Sequence, residues 1–138
     1  MPKLDLYHHV VRRALEKDGW TITHDPYKLT AETRKLWIDL GAERLITAEQ
    51  GTRKIAAETK SFLGKSDVND LENAIGQYTL YLLLLEEQEP DRELYLAIPE
   101  FVYNTIFSER IGQVLLERKR VRLLVFDRNK EEVLQWID

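Results

Sequence analysis

Residues 55–62 read IAAETKSF, an apolar segment that ends in the charged pattern Glu-x-Lys. This composition predicts a β-strand over residues 55–60. Side chains alternate between the two faces of a strand, so we expect Glu58 and Lys60 to point the same way, about 6–7 Å apart. On its own, such a pair is interpreted as an exposed ion pair that contributes under about 1 kcal/mol. The neighbouring elements therefore decide whether it is a site.

A second apolar segment, LWIDL, also contains an acidic residue, Asp39. We expect a strand over residues 35–40, followed by a bend or bulge at Gly41. A hairpin between this strand and residues 55–60 would bring Asp39 close to Glu58. An acid inside an apolar strand needs a partner, because burying an unpaired charge is costly.

The register of this hairpin leaves two candidates for the first acid. An extended pattern resumes over residues 44–48 and precedes a turn at residues 50–52. Straightforward pairing about this turn would set Glu43 opposite Glu58, whereas a bulge at the preceding glycine would restore Asp39. We prefer Asp39 because it lies inside the apolar segment, and Glu43 is the alternative.

Two carboxylates and a lysine are what metal-dependent phosphodiester hydrolysis requires. Asp39 and Glu58 offer the hard oxygen ligands that Mg²⁺ or Mn²⁺ prefers, and the backbone carbonyl of Thr59 could add another. The ammonium group of Lys60 could orient or help deprotonate the attacking water and stabilise charge on the phosphate. The pattern therefore indicates a metal-dependent nuclease site.

The remaining elements complete the order α-β-β-β-α-β-α-β, which predicts an α/β domain with a mixed sheet flanked by helices. A chain of 138 residues is expected to form a single domain, residues 1–138. The expected helices cover residues 4–17, 67–87 with Ser66 as N-cap, 101–107 and 111–117. The expected further strands cover residues 20–24, 91–98, 121–126 and 133–137, and residues 27–33 are expected to be a loop.

Composition and charge restrict the partners. The chain has no cysteine and no export signal, and its longest apolar segment, residues 78–85, is too short to cross a bilayer, so we expect a cytoplasmic protein without a membrane partner. The net charge of −4 disfavours tight DNA binding by the chain alone, although clusters such as residues 118–122 could act locally. The sequence leaves the oligomeric state open, with a homodimer as one alternative.

These residues resemble the PD-(D/E)xK nuclease superfamily, in which an acid on the second strand precedes (D/E)-x-K on the third within an α-β-β-β-α-β core. Asp39, Glu58 and Lys60 match these positions. Gln77 and Tyr81 resemble a Q-x-x-x-Y motif on the helix that follows, and four residues place them on one helical face. The resemblance implies a restriction-endonuclease-like fold and a Mg²⁺ site.

Nearly the whole chain is similar to the XisH family, the fdxN-element excision controlling factors of cyanobacteria. The similarity is carried by these segments: LYH at 6–8, KDGWTITHDP at 17–26, DLGAE at 39–43, ETKSFLG at 58–64, GQY at 76–78 and AIP at 97–99. It implies a role in site-specific excision of a DNA element during heterocyst development, alongside a recombinase and a companion protein, XisI.

The chain departs from the nuclease pattern at its first helix. Many nucleases of this superfamily have a Glu there as an additional metal ligand, but the residue at a similar distance from Gly19 is near His8, and Glu16 lies about two turns away. We therefore expect no second metal, and His8 is a weak candidate ligand. The alternative function is a catalytically inactive nuclease fold that acts by binding a XisI-type partner, since fold resemblance does not establish activity.

Overall fold

The computed structural model describes residues 5–45 and 52–138 of the chain. Its helices are α1 (His8–Lys17), α2 (Asp67–Gln88), α3 (Glu100–Asn104) and α4 (Arg110–Glu117), with a short 3₁₀ helix at Ile106–Ser108. Its strands are β1 (Thr21–His24), β2 (Tyr27–Ala31), β3 (Arg34–Ile38), β4 (Leu40–Leu45), β5 (Thr52–Thr59), β6 (Arg92–Pro99), β7 (Leu123–Asp127) and β8 (Glu132–Ile137). The expected α/β class with flanking helices is confirmed.

Six strands form a mixed sheet in the order β1-β4-β5-β6-β7-β8. Strand β4 pairs antiparallel with both β1 and β5, whereas β5, β6 and β7 pair in parallel. Helix α2 provides the crossover between the parallel strands β5 and β6, as such connections require. The edge strand β8 returns antiparallel to β7.

We expected residues 27–33 to form a loop and residues 35–40 to form one strand. Both predictions are wrong. Tyr27 and Leu29 are buried whereas Lys28 is exposed, which is the two-residue alternation of a strand. β2 pairs with β3 in a separate two-stranded sheet, and a bend at Asp39 separates β3 from β4. The polar residues within this segment concealed a strand that is buried on one face only.

The expected bulge at Gly41 is also absent from the pairing of β4 with β5, where Gly41 lies opposite Ala56 in a regular register. The irregularity lies on the other side, in β1 between Ile22 and His24. A side chain at Gly41 would meet the His24 ring and Tyr27 at 3.0–3.1 Å, so the glycine permits close approach. Most of the expected turn, residues 50 and 51, lies outside the described residues.

The structure confirms the predicted long helix α2 and its N-cap, Ser66. Ser66 Oγ accepts the backbone N–H of Asn69 at 3.2 Å, and Asp67 and Asp70 lie in the first turn, where their charge suits the helix dipole. The expected helix over residues 101–107 is instead α3 followed by the 3₁₀ helix.

The six-stranded sheet separates two hydrophobic clusters. On β6, Leu94, Leu96 and Ile98 belong to the cluster that α2 covers, and Tyr95 and Ala97 belong to the cluster that α1 covers. Helix α1 contributes Val11 and Leu15, which confirms its predicted apolar face. Across residues 5–45 and 52–138 no helix combines the length and apolarity that a membrane span requires.

Candidate active site

Asp39 lies beside Glu58 because of the register of two neighbouring strands. Leu40 is opposite Ala57 in the antiparallel pair β4–β5, so the residues that follow in each direction, Asp39 and Glu58, meet at the same end of the pair. Asp39 Oδ2 accepts the backbone N–H of Thr59 at 2.8 Å. The carboxylate therefore takes a position in the ladder that a backbone carbonyl would otherwise occupy.

The pairing that would have favoured Glu43 is wrong. Glu43 is opposite Lys54, four residues from Glu58, which corresponds to about 13 Å along a strand. Leu45 is opposite Thr52, so the register is not the one centred on Gly51 that this alternative required. Asp39 comes next to Glu58 without any bulge in this pair of strands.

Glu58 is buried, with 6% of its surface exposed, at the carboxyl end of β5. The Nζ atom of Lys60 lies 3.8 Å from Glu58 Oε1, and Lys60 itself is half-buried. Within the described residues Glu58 Oε2 has no hydrogen-bond partner. A buried carboxylate oxygen without a donor is costly, so this atom calls for a cation or a proton.

Burial raises the pKa of both acids, and the charge of Asp39 raises that of Glu58 further. Burial, and then the carboxylate of Asp39, raises the pKa of Glu58 well above its usual range, and Lys60 acts in the opposite direction. Burial also raises the pKa of Asp39, although the hydrogen bond from Thr59 lowers it. Two desolvated acids side by side create a local demand for positive charge that one lysine meets only in part.

Asp5 is a third acid at this cleft, and sequence reasoning missed it. Its Oδ2 accepts the backbone N–H of Ser61 and its Oδ1 accepts that of Tyr7, each at 3.0 Å. Asp5 lies three residues before α1, whereas we predicted that the first helix begins at residue 4 and considered only His8 and Glu16 there. An acid that precedes a helix suits the helix dipole, but this local signal does not indicate the cleft.

The acids surround a cleft of about 330 Å³. It is lined by Asp5, Leu6, Asp39, Glu58, Thr59, Lys60 and Ser61. A neighbouring cleft of about 250 Å³ shares Asp5, Lys60 and Ser61 and continues towards the first turns of α2. The four charged side chains therefore face one solvent-accessible space.

His8 lies behind Asp39 and is not exposed. It is 1% exposed, its Nε2 lies 2.7 Å from Asp25 Oδ1, and its Nδ1 lies 4.0 Å from Asp39 Oδ1. The ring therefore hydrogen-bonds Asp25, its buried Nδ1 has no hydrogen-bond partner among the described residues, and it does not line the cleft.

The two residues of the helical motif differ in their surroundings. Tyr81 is buried, and burial, followed by the charges of Glu58 and Asp39, raises the pKa of its hydroxyl. Gln77 is exposed on α2 and lines neither of the two clefts. Tyr81 thus lies on the site side of α2, and a role for Gln77 stays a prediction.

The residues present fit a divalent cation in part. Two carboxylates, one of them with an orphaned buried oxygen, are suitable hard donors. In the part of the chain that the structure describes, however, no three His, Asp or Glu side chains converge closely enough to hold a metal by themselves. Backbone oxygens, water or substrate phosphate would have to complete the coordination, which is usual for Mg²⁺.

Comparison with known protein families identifies the family of this chain. The family model described as XisH protein matches residues 1–134. The chain belongs to the XisH family.

Two solved structures resemble this XisH chain along nearly its whole length. An XisH family protein from Nostoc punctiforme is 38% identical, with a TM-score of 0.87, over 97% of this chain and 100% of that chain. An fdxN element excision controlling factor protein from Anabaena variabilis is 40% identical, with a TM-score of 0.87, over 98% of this chain and 100% of that chain. A comparison with curated proteins gives no match.

Proposed function

We propose that this protein controls site-specific excision of a DNA element and acts as a divalent-metal-dependent DNA endonuclease of the PD-(D/E)xK type. The excision role follows from its similarity to the fdxN element excision controlling factor protein of Anabaena variabilis. The nuclease activity rests on one observation: the orphaned, buried Oε2 of Glu58 next to Asp39 and Lys60.

The order of elements supports a restriction-endonuclease-like core. Helix α1 is followed by the antiparallel strands β1, β4 and β5, and α2 then crosses over to the parallel strand β6. The hairpin β2–β3 is an insertion between the first two core strands. In this arrangement Asp39 and Glu58 lie at adjoining strand ends, as the (D/E)-x-K pattern requires.

The site residues have distinct roles in this proposal. Asp39 and Glu58 would hold a Mg²⁺ or Mn²⁺ ion together with the Thr59 carbonyl, and Asp5 would bind a water of the ion's shell. When bound, the ion would supply an activated water and neutralise charge on the phosphate. Lys60 would donate hydrogen bonds towards the attacked phosphate and orient or help deprotonate the attacking water.

The activity is tested by incubating the purified protein with supercoiled, branched and single-stranded DNA in the presence of Mg²⁺ or Mn²⁺. We expect cleavage that falls to background in Glu58→Gln and by about 100-fold or more in Lys60→Met. Glu117→Gln is the matched control, because Glu117 is exposed, pairs with Arg110 and lines neither of the two clefts. Cleavage that persists unchanged in Glu58→Gln would eliminate this function.

A second candidate is a catalytically inactive nuclease fold that acts through a XisI-type partner. It is favoured by the net charge of −4, which opposes autonomous DNA binding. Stoichiometric co-purification with the companion protein, together with undetectable Mg²⁺ binding, would support this candidate over the endonuclease. A bound Mg²⁺ coupled to strand cleavage would reject it.

A further inference from the structure

The outer face of the hairpin β2–β3 carries side chains that the core does not use. Tyr27, Leu29 and Ile38 point into the core and are buried. Alternation therefore puts the intervening residues on the opposite face, and the register sets Lys28 across from Trp37. This outer face, defined by Lys28, Lys35 and Trp37, is called the hairpin face below.

Trp37 is the apolar centre of the hairpin face. It is half-buried, and it belongs to neither of the two hydrophobic clusters that the described residues form. The other two tryptophans differ, since Trp20 is a member of the α1 cluster and Trp136 packs against it. A large aromatic ring outside the core offers a flat surface on which a base can stack.

The charge of the hairpin face suits a phosphate backbone. Lys28 and Lys35 are exposed, and within the described residues neither of them lies in an ion pair with a carboxylate. Glu32 at the turn is the one acidic residue between the two strands. Two unpaired cations on one face of a chain of net charge −4 mark a local positive surface.

The hairpin face leads directly into the candidate active site. β3 ends at Ile38, and Asp39 follows at the bend. Asp39 is two residues after Trp37, so their Cα atoms are at most about 7 Å apart. When the phosphate of one nucleotide occupies the cleft, the base of the neighbouring nucleotide is therefore within reach of the Trp37 ring.

We propose that the hairpin face binds unpaired nucleotides of DNA next to the cleft, with Trp37 stacking on a base and Lys28 and Lys35 contacting phosphates. The inference rests on the proposed function for its choice of DNA. It narrows the substrate to DNA with a single-stranded segment, because bases in an intact duplex are not free to stack on a side chain.

The test is fluorescence anisotropy at low salt with a labelled fifteen-nucleotide oligo-dT and with a labelled duplex. EDTA is present so that no cleavage occurs. Wild type is expected to bind the single strand more tightly than the duplex. Trp37→Ala should weaken single-strand binding by about tenfold or more, whereas Trp37→Phe should retain most of it. Lys28→Ala with Lys35→Ala should reduce the salt dependence, by about 0.7 in log–log slope for each lysine.

The matched control is Lys17→Ala with Lys130→Ala, which removes two exposed cations outside the hairpin. Binding unchanged in this variant supports the hairpin face, and binding reduced as much as in the variant of Lys28 and Lys35 shows nonspecific attraction and overturns it. Absence of oligo-dT binding by wild type, or equal binding by Trp37→Ala, also overturns the inference. Circular dichroism confirms that each variant folds. Because EDTA removes divalent metal from this binding assay, its outcome does not depend on whether the separate cleavage assay detects activity.

Discussion

Asp39 accepts the backbone N–H of Thr59 at 2.8 Å, so a side chain on one strand completes the hydrogen-bonding ladder of the next. This bond fixes Asp39 at the cleft through the backbone of β5. The position of Asp39 is therefore independent of the side chains of Glu58 and Lys60. Replacing either of them should leave the first acid in place.

Two substitutions at Asp39 separate its structural role from its charge. Asp39→Asn keeps an oxygen that can accept the Thr59 N–H, whereas Asp39→Ala leaves that buried donor unpaired. We expect Asp39→Ala to be less stable than Asp39→Asn by about 1–3 kcal/mol in urea unfolding at pH 7. Both should lose metal-dependent cleavage. Equal stability of the two variants would show that the bond does not contribute.

Glu58 should make the protein less stable as the pH rises. Its pKa is raised in the folded state, so between about 4.5 and that higher value the folded protein binds more protons than the unfolded chain. Stability is therefore lost as the pH increases through this window, by at most about 1.4 kcal/mol per pH unit for one proton. Urea midpoints measured from pH 5 to 8 should fall in wild type and fall less in Glu58→Gln, since Asp39 still contributes. A wild-type midpoint that rises over this range contradicts the prediction.

Glu89 should stabilise the fold through a buried arginine. It accepts hydrogen bonds from Tyr27 at 2.5 Å and from Arg92 Nε at 2.8 Å, and Arg92 is buried. We expect Glu89→Gln to lower the free energy of unfolding by about 1–3 kcal/mol. The nearby Asp91→Asn is the control and should cost under about 1 kcal/mol, because Asp91 is 67% exposed and lies 3.7 Å from Lys54.

Glu89 should also make the free energy of unfolding fall at acid pH. Its contacts with Arg92, and then with Tyr27, lower the pKa of Glu89 to about 2. The stability it contributes is present above about pH 4.5 and is lost as the pH falls towards 2. This part of the acid transition should be absent in Glu89→Gln, and an unchanged transition would argue against it.

Two glycines should respond in opposite ways to alanine. A Cβ at Gly112 would lie 2.4 Å from Ile106 O and Phe107 Cα, so Gly112→Ala should destabilise the protein by about 1–3 kcal/mol. A Cβ at Gly76, on the exposed side of α2, would meet nothing within 4 Å. Gly76→Ala should stabilise by up to about 1 kcal/mol through helix propensity. Thermal unfolding of the two variants checks both signs.

The sequence predicted the acids that come from strong local patterns. Asp39 and Glu58 stand out because each interrupts an apolar strand, and Ser66 marks the start of α2 because it precedes two acids. These signals depend on neighbours in the chain, which a sequence displays directly.

Other features depend on contacts between distant residues. Asp5 reaches the cleft through Ser61, 56 positions away, and nothing near Asp5 in the sequence records this bond. We predicted the wrong register of β4 with β5 because we placed the turn at the glycine at residue 51, whereas the contacts between the two strands set the register. The hairpin β2–β3 escaped prediction because one of its faces is polar.

Mn²⁺ binding, measured by calorimetry and by electron paramagnetic resonance without DNA, tests the central claim most directly. The account predicts one Mn²⁺ per chain, with the affinity lowered at least about tenfold in Glu58→Gln and Asp39→Asn and unchanged in Glu117→Gln. No stoichiometric binding by wild type, or equal binding by all three variants, would contradict it.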